Sequence, residues 1–548
     1  MHGRVASRFV SGPHRERDLG LLLFALAALL PSIWSEGSIS GQDEYYLSFR
    51  TVLEMRERGE WLVPWVNGEV RLQKPPLLYW AMLVAMELLG PNAFAARMPS
   101  VAAGALFAVA AARLARRCGA SAMLTGLLVV AAAGVAVEAR RAMFDLPVAC
   151  LATWSLVLGM DWWRRGSVLA LQGAAVLLAA AAMTKGPVAL WFVAAPALAG
   201  LVVHRRRPVG PWWQLLPALA LFAALALPWP LYVAKAHPEF FAVMSTQAEN
   251  RAFGLSSLTG LPGLVGALIG LCAPWSLLLL SAAWASARGR TDALRTGRWL
   301  LTWVAIGLVP FALMRSFERY VLAFVAPLAV LTAMHVERLS PRALLWHLRG
   351  AMALLTVPMV GFGALVVGLG LAVVPALLGA AVLVVGWRCL RREAHEPAMA
   401  FAGLGLVTAT LLGVVYPAIG VNRLPESLPS AVGSARVATF GRPQPGMLSL
   451  RIGRSAEHMA KEPDGLPERL RGFHGHLFVH DDDLPLVQQT ATTAGLAPRT
   501  LVRFGSFYSR KAWLRFYRDG ATASDWWQAV VERDPTRLQP HFTCLEFP

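Results

Sequence analysis

The sequence predicts an all-α polytopic membrane protein, with a small α/β unit at its C-terminus lying outside the membrane. Three observations carry this. The 548 residues are 56% hydrophobic, with a mean hydropathy of +0.50, too apolar for an ordinary soluble globule. Apolar runs near bilayer length recur through the first 420 residues. Past that point the composition turns polar, with Pro/Gly punctuation and short strand-like runs.

The apolar runs fall at 18–35, 93–113, 121–138, 143–162, 167–184, 187–203, 212–230, 261–284, 298–314, 320–337, 350–369, 371–387 and 397–418. That is about thirteen transmembrane helices, so the two chain ends are expected on opposite sides. Arginines mark the sides. Arg4, Arg8, Arg15 and Arg17 precede the first run. Arg113, Arg116 and Arg117 follow the second, Arg164 and Arg165 the fourth, and Arg205, Arg206 and Arg207 the sixth. Arg288, Arg290 and Arg295, then Arg338, Arg342 and Arg349, then Arg388, Arg391 and Arg392 continue the alternation. The basic side is cytoplasmic by the positive-inside rule. The net charge of +18 therefore reflects membrane topology, and no nucleic-acid partner is expected. Two pairs break the pattern: Arg140 with Arg141, and Arg315 with Arg319.

The opposite, extracytoplasmic face then receives the loop 36–92, the loop 231–260 and the tail. Two modules follow, a membrane part over 1–420 and an outer unit over 421–548. In the tail, strands are expected at 435–440, 447–452, 476–479 and 500–504, and helices at 485–494 and 526–533. The Asp481-Asp482-Asp483 run reads as a solvated turn, since it lacks EF-hand spacing. The five cysteines show no CxxC or metal spacing, so neither a disulfide framework nor a cysteine zinc site is expected.

The loop 36–92 is the informative segment. Gln42-Asp43-Glu44-Tyr45-Tyr46 opens an amphipathic helix over 44–58, which Gly59 ends. Trp61-Leu62-Val63-Pro64-Trp65-Val66-Asn67-Gly68 follows, then Gln73-Lys74-Pro75-Pro76-Leu77-Leu78-Tyr79-Trp80. Three of the five lysines (Lys74, Lys185 and Lys235) sit on the outer side, against the charge bias. An ammonium at the bilayer edge either snorkels or meets an anion, and phosphate is the natural one. Arg97, Arg315 and Arg319 share that face. So do the carboxylates Asp43, Glu44, Glu138, Asp145, Glu239, Glu249 and Glu318. Asp43 and Asp145 can also be read as helix N-caps, and Glu44 as first-turn dipole compensation.

The order of these motifs resembles the ArnT-like and protein O-mannosyltransferase-like glycosyltransferases of GT-C architecture. The likeness continues through Ala95-Ala96-Arg97-Met98-Pro99-Ser100, Asp145-Leu146-Pro147, Thr184-Lys185-Gly186-Pro187, Pro228-Trp229, His237-Pro238 and Pro274-Trp275-Ser276, roughly residues 18–335. It implies an inner-membrane enzyme that moves a sugar, with inversion, from a polyprenyl phosphate to a lipid, glycan or protein acceptor. It further implies catalytic roles for Asp43, Glu44 and Asp145, with Asp43 as the leading base, and phosphate binding by Lys74, Lys185, Arg251 and Arg315. Tyr46, Tyr79, Glu249, Asn250 and Tyr320 would shape the substrate pocket. The sequence departs from the family at Gln73 and Asn250, where ArnT-like members carry Glu and His. Amides are poor metal ligands, so no metal is assigned to that pair, and a divalent cation elsewhere stays open. A secondary transporter or flippase is the rival class, and an inactive relative the third reading. A transporter places charges and helix breaks near span centres, whereas here the charges gather on one face.

Overall fold

The computed structural model describes residues 14–203, 208–251, 253–288, 295–392, 396–441, 447–461, 465–508 and 515–548. Arg4, Arg8, Arg205, Arg206, Arg207 and Arg290 lie outside the described residues. Among the described residues, seven helices are long and apolar enough to cross a bilayer, and nine if two bent pairs each count as one. The chain is a multi-span membrane protein, mostly helical.

Several expected spans are shorter or broken. The run at 121–138 divides at Ala132, whose ψ of 123° leaves the helical region, into Ala122–Ala131 and Ala133–Glu138. The run at 212–230 bends by 41° where Pro228 starts a new helix. The run at 261–284 is two helices, Leu255–Leu271 and Ser276–Arg288, folded at 115°. The first helix, His14–Leu29, has only 16 residues. A hydropathy count cannot register such breaks, because each half remains apolar.

The helix Asp145–Arg165 and the helix Val168–Lys185 form an antiparallel hairpin. Its tight turn lies at Gly166, so Asp145 and Lys185 return to the same end. The helix Ala93–Cys118 begins, and Ala133–Glu138 ends, at that end too. Loop 36–92 covers it. The expected helix after Gln42 is present, and Gly59 ends it at φ 68°, a left-handed conformation that favours glycine. It is not uniform. Residues Tyr45–Phe49 form a π-turn between Gln42–Glu44 and Arg50–Arg58. The wider turn rotates Asp43 and Glu44 away from the face set by the later residues.

The tail carries a five-stranded mixed sheet. β1 (Trp65–Val66) and β2 (Glu69–Val70) form a hairpin in the first loop, and β3 (Val437–Phe440), β4 (Glu457–Met459), β5 (Gly475–His480), β6 (Arg499–Gly505) and β7 (His541–Phe547) follow. The sheet order is β4-β3-β5-β7-β6, with β3 parallel to both neighbours and β7 antiparallel to both of its own. Residues 447–452, expected as a strand, are the helix Leu448–Ile452; β4 and β7 were not expected. One sheet face shares a core with Phe49, Val52, Leu53, Tyr79 and Met82 of the first loop. The other face packs under the helices Leu466–Arg471 and Leu484–Thr493. Loop and sheet are therefore one packed body, a continuity that local sequence pattern does not reveal.

Close helix approach sets tight tolerances. A Cβ at Gly413 would meet the Pro31 Cβ at 2.7 Å and the Pro31 carbonyl oxygen at 3.1 Å. Gly413→Val is expected to cost roughly 1–3 kcal/mol through overpacking. A lowered thermal midpoint of the purified protein in detergent checks this.

Candidate functional site

One pair of opposite charges is completely buried under the first loop. Glu44 and Arg97 are both fully buried and pair at 3.0 Å. Glu44 also accepts from the Ser40 hydroxyl at 2.6 Å and the Ala142 amide at 2.7 Å. Arg97 spends its remaining protons on the Ile33 and Ser35 carbonyls. Glu44 accepts four hydrogen bonds and Arg97 commits four of its five N–H groups. Glu44 thus fastens the first loop to the membrane helices and has no free oxygen for chemistry, and Arg97 is sealed against it, fully buried and out of reach of a phosphate. Arg140 is likewise spent on the carbonyls of Ala28, Pro31 and Ala136.

Beside this anchor runs a chain of alternating charges. Glu138 pairs with Arg141 at 2.7 Å. Arg141 pairs with Asp43. Asp43 pairs with Arg319 at 2.7 Å, and Arg319 with Asp145 at 3.2 Å. Asp145 closes the chain on Lys185. Neither aspartate caps its helix through N2 or N3; the one backbone amide that donates to Asp43 is that of the adjacent Glu44, and Asp145 makes no cap bond. Three acids meet three bases, so the chain is electrically balanced. Asp145 is enclosed, with a side chain only 3% exposed, whereas Asp43 keeps 28%. Asp43 is thus the carboxylate with an open side. Burial opposes its ionisation, but Arg141 and Arg319 outweigh that and hold its carboxyl below the usual aspartate range.

Tyr320 organises the next layer of cations. The Lys185 ammonium lies 4.0 Å from its ring centroid, Arg251 5.1 Å and Arg319 5.8 Å. Lys74 is a neighbour of Lys185, Arg251, Asp145 and Arg71. Among the described residues, neither Lys74 nor Arg251 has a carboxylate within ion-pair distance. Burial, then repulsion from Lys185 and Arg251, pushes the Lys74 ammonium down to about 7. Burial is the main cause, and the two neighbouring cations add to it; with no ion-pair partner for Lys74 or Arg251, the pocket is suited to an anion.

The remaining expected residues separate from this centre. Tyr79 is fully buried and donates to the Leu47 carbonyl at 2.7 Å, edge-on to Phe144, so it is core rather than pocket lining. Tyr46 stands on the π-turn, its carbonyl facing Arg71 at 3.4 Å and its ring 6.0 Å from His458. Arg315 is exposed, and its amide donates to the Arg251 carbonyl at 2.8 Å. Glu249, Asn250 and Lys235 are exposed. No group of three metal-ligating side chains occurs among the described residues. The aspartate turn is solvated only at Asp482; Asp481 pairs with Arg503 and accepts from Thr543, and Asp483 pairs with Lys461.

Sequence reasoning passed over Arg141, which joins Glu138 to Asp43, and Asn67. Asn67 sits at φ 60° in the β1–β2 turn. Its side-chain amide accepts from the His458 amide at 2.7 Å and donates to the His458 carbonyl at 3.2 Å, extending the edge strand β4. Glu54 holds the turn by accepting from the Asn67 and Gly68 amides. The signal for Arg141 was present: it is one of the arginines on the wrong side of the membrane.

The comparisons fit this geometry. A family model described as dolichyl-phosphate-mannose-protein mannosyltransferase matches residues 73–232. The crystal structure of ArnT from Cupriavidus metallidurans bound to undecaprenyl phosphate aligns over 97% of this chain and 98% of that one, with a TM-score of 0.70 at 18% identity. The chain is similar to the ArnT-like glycosyltransferases in fold and over its membrane part. Among its relatives, the undecaprenyl phosphate-alpha-4-amino-4-deoxy-L-arabinose arabinosyl transferase of Enterobacter sp. (strain 638) is 31% identical over 319 residues, 53% of this chain and 55% of the relative. The enzyme of the same description from Serratia proteamaculans (strain 568) is 27% identical over 336 residues, 58% of each chain. The chain thus matches only a little over half the length of these relatives.

The Glu44–Arg97 pair makes a stability prediction. Glu44→Ala leaves a fully buried guanidinium without its partner, which typically costs 3–5 kcal/mol. The variant is expected to accumulate poorly and to lose thermal stability, checked by membrane abundance and unfolding midpoint. Arg58→Ala, which removes a pair with Glu54 and a stacking contact on Trp65 at the loop surface, is expected to cost less, at most about 2 kcal/mol.

Proposed function

We propose that this protein transfers a sugar from an undecaprenyl-phosphate-type carrier to a lipid, glycan or protein acceptor at the extracytoplasmic face of a bacterial inner membrane. The observation that carries the reading is the juxtaposition of an open carboxylate, Asp43, with the uncompensated cations Lys74 and Arg251 at one end of the bundle. The relatives' described use of undecaprenyl-phosphate sugars supports the donor class. The N-terminus is then cytoplasmic and the sheet extracytoplasmic.

In this reading the bond between the anomeric carbon and the carrier phosphate oxygen breaks, and its electron pair stays on the phosphate. The acceptor attacks the opposite face of that carbon, which inverts it, and releases its proton to Asp43. The phosphate charge grows from about −1 to −2 as the bond breaks. Lys74 and Arg251 therefore bind the transition state and product more tightly than the donor, which is what lowers a barrier. Asp43 stays ionised at neutral pH. Its depressed pKa makes it a weak base, so it takes the proton late, once the acceptor's attack has made that proton acidic. Asp145 and Lys185 compensate each other and keep Arg319 in place. They position the site and do not touch substrate.

The Lys74 position gives a pH prediction. Only the ammonium form donates fully to phosphate, and it predominates below about 7 in the free protein. Carrier affinity is therefore expected to be highest below that pH. It should fall by up to tenfold per unit above it, until the pKa of the bound state is reached. Lys74→Ala should weaken binding of undecaprenyl phosphate at least tenfold and flatten this profile. Lys74→Arg, which keeps its charge throughout, should flatten the profile whatever its affinity. Binding isotherms from pH 6 to 9 check all three; an unchanged affinity in Lys74→Ala removes this lysine from the mechanism.

Asp43→Asn is nearly isosteric and leaves Arg141 and Arg319 each with another carboxylate. Single-turnover transfer should fall roughly 10²–10⁴-fold with carrier affinity within a few-fold of the parent. Rate loss accompanied by loss of carrier binding would instead make Asp43 a sugar-positioning group.

A further inference from the structure

The helix Ala523–Glu532 has two apolar faces, and only one is used. Thr522 and Asp525 close a capping box at its start, so the helix is well defined. Ala529 is fully buried, and Trp526 packs edge-on against Tyr517 at 5.2 Å and against the main apolar core. Trp527, Val530 and Val531 lie at i, i+3 and i+4, hence on a single separate stripe. Trp527 is 71% exposed and Val531 63%. Among the described residues nothing covers Trp527 or Val531.

The position of this stripe says what does. A Cβ at Gly368 would touch Val530 at 3.5 Å, and one at Gly370 would meet Arg533 at 3.0 Å. Gly368 is the last residue of the 28-residue spanning helix Pro341–Gly368, and the next spanning helix begins at Val373. The short helix therefore rests on the turn between two spans, at the level where the hydrocarbon core ends. The first turns of the second span expose Val373, Val374, Leu377 and Leu378, the lipid-facing surface of the bundle. An exposed Trp-Val-Val stripe beside that surface matches the chemistry of the membrane–water interface. There an indole buries its rings among acyl chains and leaves its N–H among head groups. The charged residues agree: Arg518 pairs with Asp525, and Arg537 with Glu532, keeping a compensated polar edge next to the stripe.

We propose that the helix Ala523–Glu532 is an interfacial lipid-binding element, whose Trp527–Val531 stripe dips into the outer edge of the bilayer and ties the sheet to the membrane. Its partner is phospholipid at the head-group and upper acyl-chain level. The proposal rests on the multi-span membrane reading and not on the proposed catalysis. A helix tied in this way fixes the height of the sheet over the bundle. Through the shared core with the first loop, it also fixes the height of Asp43 and Lys74 above the bilayer edge.

Photocrosslinking in phospholipid nanodiscs tests this directly. The photoreactive aromatic residue benzoylphenylalanine replaces Trp527 in one full-length protein and Val531 in a second. A third carries it at Gln489, an exposed position on the polar helix Leu484–Thr493 of the same sheet unit. Gel filtration confirms folding before illumination, and the Val531 protein serves if the Trp527 protein does not fold. The expected result is a phospholipid mass adduct at Trp527 or Val531, at least tenfold above that at Gln489. Absence of lipid adducts at both positions would overturn the proposal. So would equal adducts at Gln489, or a crosslink mainly to a second copy of the chain, which would make the stripe a protein interface.

Discussion

The ion-pair chain from Glu138 through Arg141, Asp43, Arg319 and Asp145 to Lys185 is the interaction on which the site depends. Charges at the edge of a bilayer are costly when alone. This chain brings six together with full mutual compensation, each contributed by a helix end, a helix start or a loop that must arrive at the same place. The hairpin of Asp145–Arg165 and Val168–Lys185 supplies two members. The loop helix beginning at Gln42 supplies Asp43, and the segment leading into the span Glu318–Val336 supplies Arg319. Because the chain cancels itself, Lys74 and Arg251 beside it are left, among the described residues, without an ion-pair partner. In the proposed function, their charge is what meets the carrier phosphate.

The rest of the architecture serves to hold loop 36–92 against that chain. Glu44 and Arg97 pin the loop's first turn below. From above, β4 pairs with the Asn67 side chain, and the apolar face of the sheet shares a core with Phe49, Val52 and Leu53. The π-turn at Tyr45–Phe49 lets one short helix satisfy both demands. It turns Glu44 inward to Arg97 while Asp43 reaches Arg141 and Arg319. The Ala523–Glu532 helix adds a third fastening, from the sheet to the bilayer itself.

Much of this was legible in the sequence, and for identifiable reasons. Hydrophobic runs reveal membrane helices because the bilayer demands length and apolarity together. Gly59 revealed its helix end because few other residues take a left-handed backbone. Asp43 and Lys74 were visible as charges beside spans, and Arg319 as a cation on the disfavoured side. The breaks at Ala132 and near Cys272 were not legible, since a broken apolar run has the same composition as a straight one. Roles were harder than membership. Glu44, Arg97, Lys185 and Tyr79 all carry suitable functional groups, but the fold spends each on another residue, and only three-dimensional pairing reveals which groups remain free. The short β4, three residues long, and the final strand β7 were invisible because each gains its order from neighbours distant in sequence.

The division between balanced and free charge is the central claim, and binding of undecaprenyl phosphate to the paired variant Asp145→Asn/Lys185→Met tests it most directly. That double change removes one acid and one base together, so the net charge of the site is kept. The account predicts that the folded double variant binds the carrier within about threefold of the parent, while Lys185→Met alone binds less well because Asp145 is left undercompensated. A tenfold or greater loss in the double variant, equal to that of Lys74→Ala, would make Lys185 a phosphate ligand and contradict the account.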